Sequence, residues 1–469
     1  MVFPVVGGDG KPTGYDIDNS VRMGDGRRLS KTFTEVTAER KKHTISGWVK
    51  KCETGSEEHL ILAYGDSNNY AYLRFHSDET LKFHIFGGGD VDANIITNRL
   101  FRDPSAWYHV VLVYDSAQGT DSNRVKIYIN GVQETSFSTS SYPTQNFESS
   151  IGDNVAHYIC DSSDGDFYLS EWYYIGNQAL SPSDFGETNN NGVWVPKEFE
   201  GSFGSTNDTF LEFKQTGTGT DSSGIGADTS GEDNHMASTS LAATDVTTDT
   251  PTNNFATLNP LTNSEATFSE GNTEIDHNGS AGRFTVSTFE VNQGKWYFEA
   301  KLLDYDSDSR PTIGLSQSHK SFESTLVAAS QATNGVYFLP ESDTYQSNSE
   351  TATTNIDTSP TTDDIYHFAF DLDNLKFYIG KGGTWYHSSD PSSNSNGLAI
   401  AVSDYYGVST GANNTSSDSA ANNDWQFNFG NPPFSISSGN ADAKGYGNFE
   451  YAVPSGFYSL CTKNLAEYG

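Results

Sequence analysis

Short runs in which apolar and polar residues alternate recur along the chain, and this period of two restricts the fold more than any other feature. Such runs occur between about 17 and 215, for example NYAYLRFH and RVKIYINGV, and again between about 263 and 460, for example KWYFEAKLL and LKFYIG. Successive side chains of a β-strand point to opposite faces, so alternation is typical of a half-buried strand. No apolar period of about 3.5 residues lasts for three heptads, which argues against a coiled-coil stalk. Together with the many Tyr, Phe and Thr residues, the pattern predicts an all-β protein.

The stretches between these runs divide the chain. Residues 1–16 contain two Pro and four Gly and are predicted to form an extended arm. Residues 17–215 and 263–469 are each predicted to form an antiparallel β-sandwich, because regular short strands separated by turn residues are typical of that architecture. Residues 216–262 are rich in Thr, Ser, Gly and Asp and have few large apolar side chains, which predicts a linker or rim loop.

The charge balance excludes whole classes of partner. The formal net charge is -34 and is spread along the chain, so we expect no binding to nucleic acid. The beginning of the chain lacks a basic region followed by an apolar run, and no stretch reaches about 18 apolar residues, so we expect no Sec signal and no membrane insertion. The three cysteines, Cys52, Cys160 and Cys461, have no close spacing and are expected to be buried free thiols.

The stretch DLDNLKFYIGKGGTW at 371–385 begins with acidic and amide residues that could be a metal loop or a hairpin turn. If Asp373 and Asn374 form a two-residue turn, counting outward predicts the cross-strand pairs Asp371 with Lys376, Phe370 with Phe377, Ala369 with Tyr378 and Phe368 with Ile379. This register places the apolar side chains on one face, and a slip by one residue would turn all of them toward water. We therefore interpret the stretch as a hairpin. Asn130 and Gly131 in the first block likewise predict a type I′ turn.

The second block carries a family resemblance in segments that occur in the family's order: GKWYFEAKL at 294–302, PTIGLS at 311–316, NGVYF at 334–338, FDLDNLKFYIGKGGTW at 370–385, WQFNFGNPPF at 425–434 and VPSGFYSL at 453–460. On these residues the block resembles a SPRY (B30.2-like) domain. The first block resembles a laminin-G-like, concanavalin A-like jelly roll in the segments HTISGWVK at 43–50, AWYHVVLVYD at 106–115, VKIYINGV at 125–132 and FYLSEWYYIGNQALSPSDF at 167–185. Both resemblances imply bent antiparallel sandwiches.

The order of the two blocks carries a further resemblance. A laminin-G-like block, a Thr-rich connector that ends TDTPTNNFATLNP at 248–260, and a SPRY-like block together resemble predicted virion proteins of marine bacteriophages. The resemblance implies a virion surface location after synthesis in the cytoplasm of a bacterial host. It also implies that the arm at 1–16 attaches the chain to other virion proteins, and that any homo-oligomer forms through the sheets or this arm.

Catalytic signatures are weak in this sequence. Concanavalin A-like glycoside hydrolases need two closely placed carboxylates, and the nearest match is Glu274 and Asp276 in TEIDHNG, where Gly279 stands in place of the last Glu. HExxH and P-loop motifs are missing, and so is a GxSxG nucleophile elbow between a strand and a helix. We therefore expect no enzymatic activity.

Acidic loops make Ca²⁺ the one cofactor that the sequence suggests, because hard cations need several oxygen ligands. The candidate metal ligands are Asp304, Asp306 and Asp308 in DYDSDSR, and Asp161, Asp164 and Asp166 before a strand of the first block. The alternative is that these loops are solvated and bind no metal.

Rim loops are where both folds normally recognise ligands, through aromatic rings and polar side chains. The candidate ligand-binding residues are Tyr305, Arg310, Trp385, Tyr386, Tyr405 and Tyr406. We predict a non-enzymatic phage surface protein, a fibre or appendage component that binds host-surface glycan or protein. The alternatives are a structural decoration protein of the capsid or tail and, third, a polysaccharide-degrading enzyme.

Overall fold

A computed structural model describes residues 14–262, 266–277, 284–305, 311–317, 335–339, 344–347, 360–400, 403–412 and 423–469. The chain divides into two compact units, with the boundary between Thr252 and Asn253. In the described ranges the α-helices are short, α1 at Thr37–Lys41 and α2 at Thr462–Tyr468, and sheets provide the remaining regular structure apart from 3-10 turns. The all-β prediction is confirmed. None of the helices in these ranges has the length and apolar character that a membrane crossing requires.

The first unit contains the strands β1 (Ser20–Met23), β2 (Arg28–Thr32), β3 (Lys42–Lys51), β4 (Glu58–Asp66), β5 (Asn69–Phe75), β6 (Leu81–Gly87), β7 (Asp90–Thr97), β8 (Trp107–Asp115), β9 (Val125–Ile129), β10 (Val132–Gln133), β11 (Phe137–Ser141), β12 (Ala156–Ile159), β13 (Phe167–Gly176), β14 (Gly186–Thr188), β15 (Trp194–Pro196), β16 (Thr209–Leu211), β17 (Ala237–Thr239) and β18 (Val246–Thr247).

Sixteen of these strands form two antiparallel sheets that share one core, and β14 and β15 pair in a separate two-stranded sheet. The front sheet has the order β11-β7-β6-β5-β4-β12-β2-β17, and the back sheet has the order β10-β9-β8-β3-β13-β1-β18 with β16 beside β13. Inward-facing side chains of both sheets, such as Leu73, Ile85, Leu112 and Trp172, meet in a single apolar cluster. Alternation of buried and outward positions therefore builds the sandwich that the sequence predicts.

The segment at 216–262 differs from the linker that the sequence predicts. Its strands β17 and β18 extend the front and back sheets by pairing with β2 and β1. Ile225, Met236 and Leu241 are buried in the core of the first unit. Asp249 is buried beside Lys50, with 2.7 Å between its carboxylate and the Lys50 Nζ. Widely spaced apolar residues therefore suffice to pack a segment whose average composition is polar. The last part of the predicted linker, residues 253–262, belongs to the second unit.

The second unit contains the strands β19 (Thr267–Ser269), β20 (Glu274–Asp276), β21 (Phe284–Val291), β22 (Lys295–Tyr305), β23 (Pro311–Ser316), β24 (Gly335–Leu339), β25 (Thr344–Ser347), β26 (Ile365–Asp371), β27 (Lys376–Lys381), β28 (Thr384–Trp385), β29 (Leu398–Ala399), β30 (Tyr406–Ala412), β31 (Asn423–Asn428) and β32 (Tyr458–Ser459).

In the described ranges these strands again form two sheets. The larger sheet has the order β19-β20-β31-β22-β26-β27-β28, with β29 beside β27 and the short β32 parallel to β22, and the smaller has the order β21-β30-β23-β24-β25. Side chains such as Trp296, Phe298, Leu315 and Trp425 pack together in the core of this unit.

The hairpin of β26 and β27 has the register that the sequence predicts. Phe370 lies opposite Phe377, and Asp371 lies opposite Lys376. The ionic partner of Asp371 differs, because the buried carboxylate lies 3.0 Å from the Nζ of Lys295, on the other neighbouring strand β22. The sequence of the two hairpin strands does not show which residue of a third strand, here β22, contacts Asp371. The predicted turn at Asn130 and Gly131 is also confirmed, since both residues have positive φ.

Each unit also covers the outer face of one sheet with a later segment. In the first unit, Phe185, Phe199 and Phe203 pack on the outer face of the back sheet. In the second unit, Phe449 and Phe457 pack on the outer face of the larger sheet. The outer face of the front sheet is built differently.

Candidate functional site

The outer face of the front sheet carries a row of rings on three neighbouring strands. Strands β5 and β6 direct alternate side chains into the core, among them Ala71, Leu73, Phe83 and Ile85. The period of two therefore places the intervening side chains on the opposite face. We call this set the aromatic face: Tyr64 from β4, Tyr70 and Tyr72 from β5, and His84 and Phe86 from β6. In the part of the unit that is described, none of these side chains belongs to the apolar core.

Tyr70 stacks with three other rings of the aromatic face, at interplanar angles of 29° to Tyr64, 7° to Tyr72 and 20° to Phe86. The centroid of Tyr70 lies 6.5 Å from that of Tyr64, 6.2 Å from that of Tyr72 and 5.2 Å from that of Phe86. His84 lies opposite Tyr72 in the sheet, with 5.2 Å between ring centroids. Neighbouring strands are about 4.8 Å apart, so the row spans roughly 10 Å across the sheet.

The accessible groups of this face suit a hydroxylated ligand. Tyr64 at the end of the row is 45% exposed, whereas Tyr72 and His84 are buried between their neighbours. No hydrogen bond within the described part of the chain engages the hydroxyl groups of Tyr64, Tyr70 or Tyr72. Burial raises the pKa of Tyr72 above its ordinary value, so this hydroxyl keeps its proton at neutral pH and can donate.

Two cations lie at one end of the aromatic face, and we call them the cationic pair: Arg74 on β5 and Lys82 on β6. They face each other directly in the sheet. The guanidinium carbon of Arg74 lies 4.3 Å from the ring centroid of Tyr72, and the Lys82 Nζ lies 5.8 Å from the same centroid. Arg74 also forms an ion pair with Glu57. Burial, followed by the charge of Arg74, lowers the pKa of Lys82.

A cavity of about 390 Å³ lies at the other end of the same strands. The lining includes Asn69 before Tyr70 in β5, Gly87 after Phe86 in β6, and the ring of Phe147. Its carboxylates are Asp92, Glu148 and Asp153, and Arg40 lies 3.5 Å from Glu148 and 3.2 Å from Asp153. The lining combines hydrogen-bond acceptors with one aromatic ring, which is a suitable environment for sugar hydroxyls.

The predicted ligand-binding residues of the second unit differ from one another in burial and in the residues that they contact. Tyr406 is buried in the core, and Trp385 packs with its edge toward His367, 4.4 Å between ring centroids, under the segment that covers the larger sheet. Tyr386 is half-buried against the core, and Tyr405 is 54% exposed. Tyr406 and Trp385 are therefore packing residues. The Tyr305 side chain and Arg310 lie outside the described residues.

The predicted metal ligands of the first unit have other partners. The buried Asp164 accepts hydrogen bonds from the backbone N–H groups of His59 and Asp161, each at 2.7 Å, and contacts the His59 Nδ1 at 2.8 Å. Asp166 faces Arg27 at 4.0 Å. Across the described ranges, no group of three or more His, Cys, Asp or Glu side chains is arranged to hold a metal ion.

In the second unit, Asp304 belongs to a row of carboxylates on three adjacent strands. Asp276 on β20, Asp424 on β31 and Asp304 on β22 lie side by side in the sheet. Burial, followed by the charge of Asp276, raises the pKa of Asp424 to about 7. Glu274, on the same face, accepts a hydrogen bond from Gln426 at 2.6 Å. Asp306 and Asp308, the other predicted ligands of this loop, lie outside the described residues.

The sequence contains a signal for the aromatic face that the search for rim loops missed. In NYAYLRFH one alternating set is Ala, Leu and Phe, and the other is Tyr, Tyr and Arg. A strand with large aromatic side chains on both faces either is buried on both faces or presents rings to a ligand.

Comparison with known proteins supports the fold of the first unit. Residues 25–184 match the laminin-G profile of the concanavalin A-like lectin/glucanases superfamily, which confirms the predicted laminin-G-like block. Comparison with curated protein sequences gives no match.

Several solved structures resemble this chain at low sequence identity. The SPRY domain of human HERC1 is 11% identical, with a TM-score of 0.28, and the match covers 36% of this chain and 96% of that one. A SAP-like pentraxin from Limulus polyphemus is 16% identical, with a TM-score of 0.28 and coverage of 42% and 93%. A protein from Bacteroides ovatus, named "putative carbohydrate binding protein", is 15% identical, with a TM-score of 0.30 and coverage of 48% and 58%.

Proposed function

We propose that this chain is a non-enzymatic glycan-binding protein and that the aromatic face of the first unit is its binding surface. The observation that carries the proposal is the row of stacked rings from Tyr64 to Phe86 on the outer face of a sheet. Aromatic rings supply apolar contact area to the C–H faces of sugars, and tyrosine hydroxyls supply hydrogen bonds to sugar hydroxyls. The superfamily that residues 25–184 match includes lectins, which supports the same function.

The test is binding of the full chain to an array of neutral and acidic polysaccharides, followed by measurement of affinity for the polysaccharide that binds most tightly. We expect Tyr70→Ala, in the middle of the row, to weaken binding at least tenfold, which corresponds to about 1.4 kcal/mol. The matched control is Tyr405→Ala, because Tyr405 is an exposed tyrosine of the other unit. Absence of binding to every polysaccharide, or equal affinities for the two variants, would contradict the proposal.

The absence of catalysis is tested with the same polysaccharides. We expect incubation with the full chain to release no new reducing ends. Release that survives in Asp276→Asn and Glu274→Gln would indicate catalysis elsewhere in the chain. Release that is lost in those variants would assign it to the carboxylates on β20.

The proposal extends to location, because a glycan-binding surface on a particle would attach it to a host. The support is the resemblance of the tandem to predicted bacteriophage virion proteins, with 1–16 as the attachment arm. Of this arm, residues 14–16 are described, and the hydroxyl of Tyr15 donates a hydrogen bond to Glu171. Immunogold labelling of particles purified from a culture that carries the gene tests the location. Exposed label at distal appendages favours host recognition, and label on the capsid lattice favours a decoration protein.

A further inference from the structure

The cationic pair is unusual in a chain of this charge. The chain has 27 Lys and Arg residues against 61 Asp and Glu residues. Arg74 and Lys82 nevertheless lie directly opposite each other on neighbouring strands. Like charges in directly opposite positions of a sheet destabilise it. Burial and, second, the charge of Arg74 lower the pKa of Lys82, and the nearby carboxylates of Glu57 and Asp78 act in the opposite direction.

The internal partners of the pair leave much of its hydrogen-bonding capacity unused. Glu57 is the carboxylate paired with Arg74, and His59 Nε2 lies 3.3 Å from the same guanidinium nitrogen. The Nε of Arg74 has no hydrogen-bond partner but is buried, so an external anion would contact the terminal guanidinium nitrogens instead. Lys82 forms no ion pair within the described part of the chain. An anionic group between the two side chains would accept from both and would remove the repulsion between them.

The neighbouring rings limit what this anion can be attached to. Tyr72 lies under both cations, and His84 lies beside it in the aromatic face. Burial, followed by the charge of Lys82, lowers the pKa of His84, so its imidazole is neutral at pH 7 and adds no charge to the face. An occupant would therefore combine an anion with a flat apolar surface that packs on the more exposed rings of the row, such as Tyr64 and Tyr70.

We infer that the aromatic face is selective for acidic polysaccharides, whose carboxylate or sulfate groups bind between Arg74 and Lys82 while the sugar rings pack along the tyrosines. This inference rests on the proposed function and specifies the class of glycan. Charge complementarity carries it, because an anionic ligand approaches a chain of net charge -34 favourably only where cations are concentrated.

The experiment measures binding of the full chain to polygalacturonate, dextran sulfate, uncharged dextran and single-stranded DNA at several salt concentrations. We expect at least tenfold tighter binding to the two acidic polysaccharides than to dextran, and weaker binding as salt increases. Lys82→Gln is expected to weaken binding to the acidic polysaccharides at least tenfold. Lys126→Gln is the matched control, because Lys126 lies on β9 of the back sheet.

The outcomes separate the inference from the proposed function. Equal affinity for dextran and the acidic polysaccharides, together with loss of binding in Tyr70→Ala, would overturn the inference alone. Equal affinities of Lys82→Gln and Lys126→Gln for the acidic polysaccharides would also overturn it. Tighter binding to single-stranded DNA than to any polysaccharide, or no binding to any polysaccharide, would overturn both. Arg74→Lys keeps the charge and loses the planar guanidinium, so a loss of acidic-glycan affinity with an unchanged melting temperature would further support the assignment.

Discussion

Both units place aromatic residues on the outer face of a large sheet, but they complete that face differently. In the second unit, Tyr297 and Tyr378 lie under Phe449 and Phe457, with ring centroids 5.0 and 6.2 Å apart in the respective pairs. In the first unit, no apolar segment of the described residues packs on the row that begins at Tyr64. The same strand pattern thus gives a second core in one unit and a candidate binding surface in the other. What decides between them is whether a segment far along the chain supplies apolar side chains.

The segment with Phe449 and Phe457, which we call the cover of the second unit, is held by a buried carboxylate as well as by its aromatic rings. Glu299 accepts hydrogen bonds from the backbone N–H groups of Glu450 and Tyr451, at 2.9 and 2.8 Å, and from the hydroxyl of Tyr297. Burial raises the pKa of Glu299 to about 7. The aromatic face of the first unit has no comparable carboxylate that ties a segment to it within the described residues.

The largest effect is expected from truncating the cover. Phe449 is fully buried, so Phe449→Ala removes a large apolar side chain and leaves a cavity. Substitutions of this kind cost about 3–5 kcal/mol. Urea unfolding of the full chain, followed by tryptophan fluorescence, measures the free energy of unfolding. Tyr70→Ala on the aromatic face is the comparison and should cost under about 1 kcal/mol, as expected for a partly exposed residue. Equal losses in the two variants would remove the distinction between a covered and an open face.

The next effect is expected at the carboxylate that holds the cover. Glu299→Ala leaves two partly buried backbone donors and the buried Tyr297 hydroxyl without their acceptor, which should cost about 3 kcal/mol in unfolding free energy. Glu299→Gln retains one acceptor oxygen and should cost less. Glu467→Ala, at an exposed carboxylate of the same unit, is the control. A loss in Glu299→Ala no larger than in this control would show that the cover is held by apolar packing alone.

A smaller effect is expected from pH, in the carboxylate row of the second unit. Because the pKa of Asp424 is raised to about 7, above the ordinary 3.8, the folded chain binds a proton that the unfolded chain has released. Its contribution to stability is fully present below pH 3.8 and is lost as the pH rises through about 7. Asp424→Asn should therefore lose less stability than the natural chain between pH 5 and pH 8.

The expected difference is about 1 kcal/mol, since Asp424 is only half-buried and solvent screens its charge. The melting temperature, measured at several pH values for both chains, gives the slopes. Asp404→Asn provides the control, because Asp404 lies outside the carboxylate row. Parallel slopes for Asp424→Asn and the natural chain would mean that the row titrates as separate, solvated carboxylates.

The sequence predicted those features of the fold that depend on residues close together in the chain. It predicted the register of the hairpin around Asp373, because alternation fixes which side chains share a face. It did not predict that Trp385 lies under a cover or that residues 216–252 extend two sheets, because both depend on contacts with distant segments. The aromatic face was missed for the same reason: the alternation of Tyr70 and Tyr72 indicates two large faces, and only the folded unit shows on which of them the described residues place no apolar segment.

The smallest effect on stability is expected at the exposed end of the aromatic face. Tyr64 is 45% exposed and contacts the row through Tyr70, so Tyr64→Ala should change the free energy of unfolding by less than about 0.5 kcal/mol. Its effect on binding should still be measurable, about threefold in the dissociation constant, and smaller than that of Tyr70→Ala in the middle of the row. Tyr64→Phe keeps the ring and removes the hydroxyl, so isothermal titration with the same polysaccharide separates ring contact from hydrogen bonding. If Tyr64→Ala binds as tightly as the natural chain, the ligand does not reach β4, and the binding surface is limited to the strands that carry Tyr72, His84 and the cationic pair.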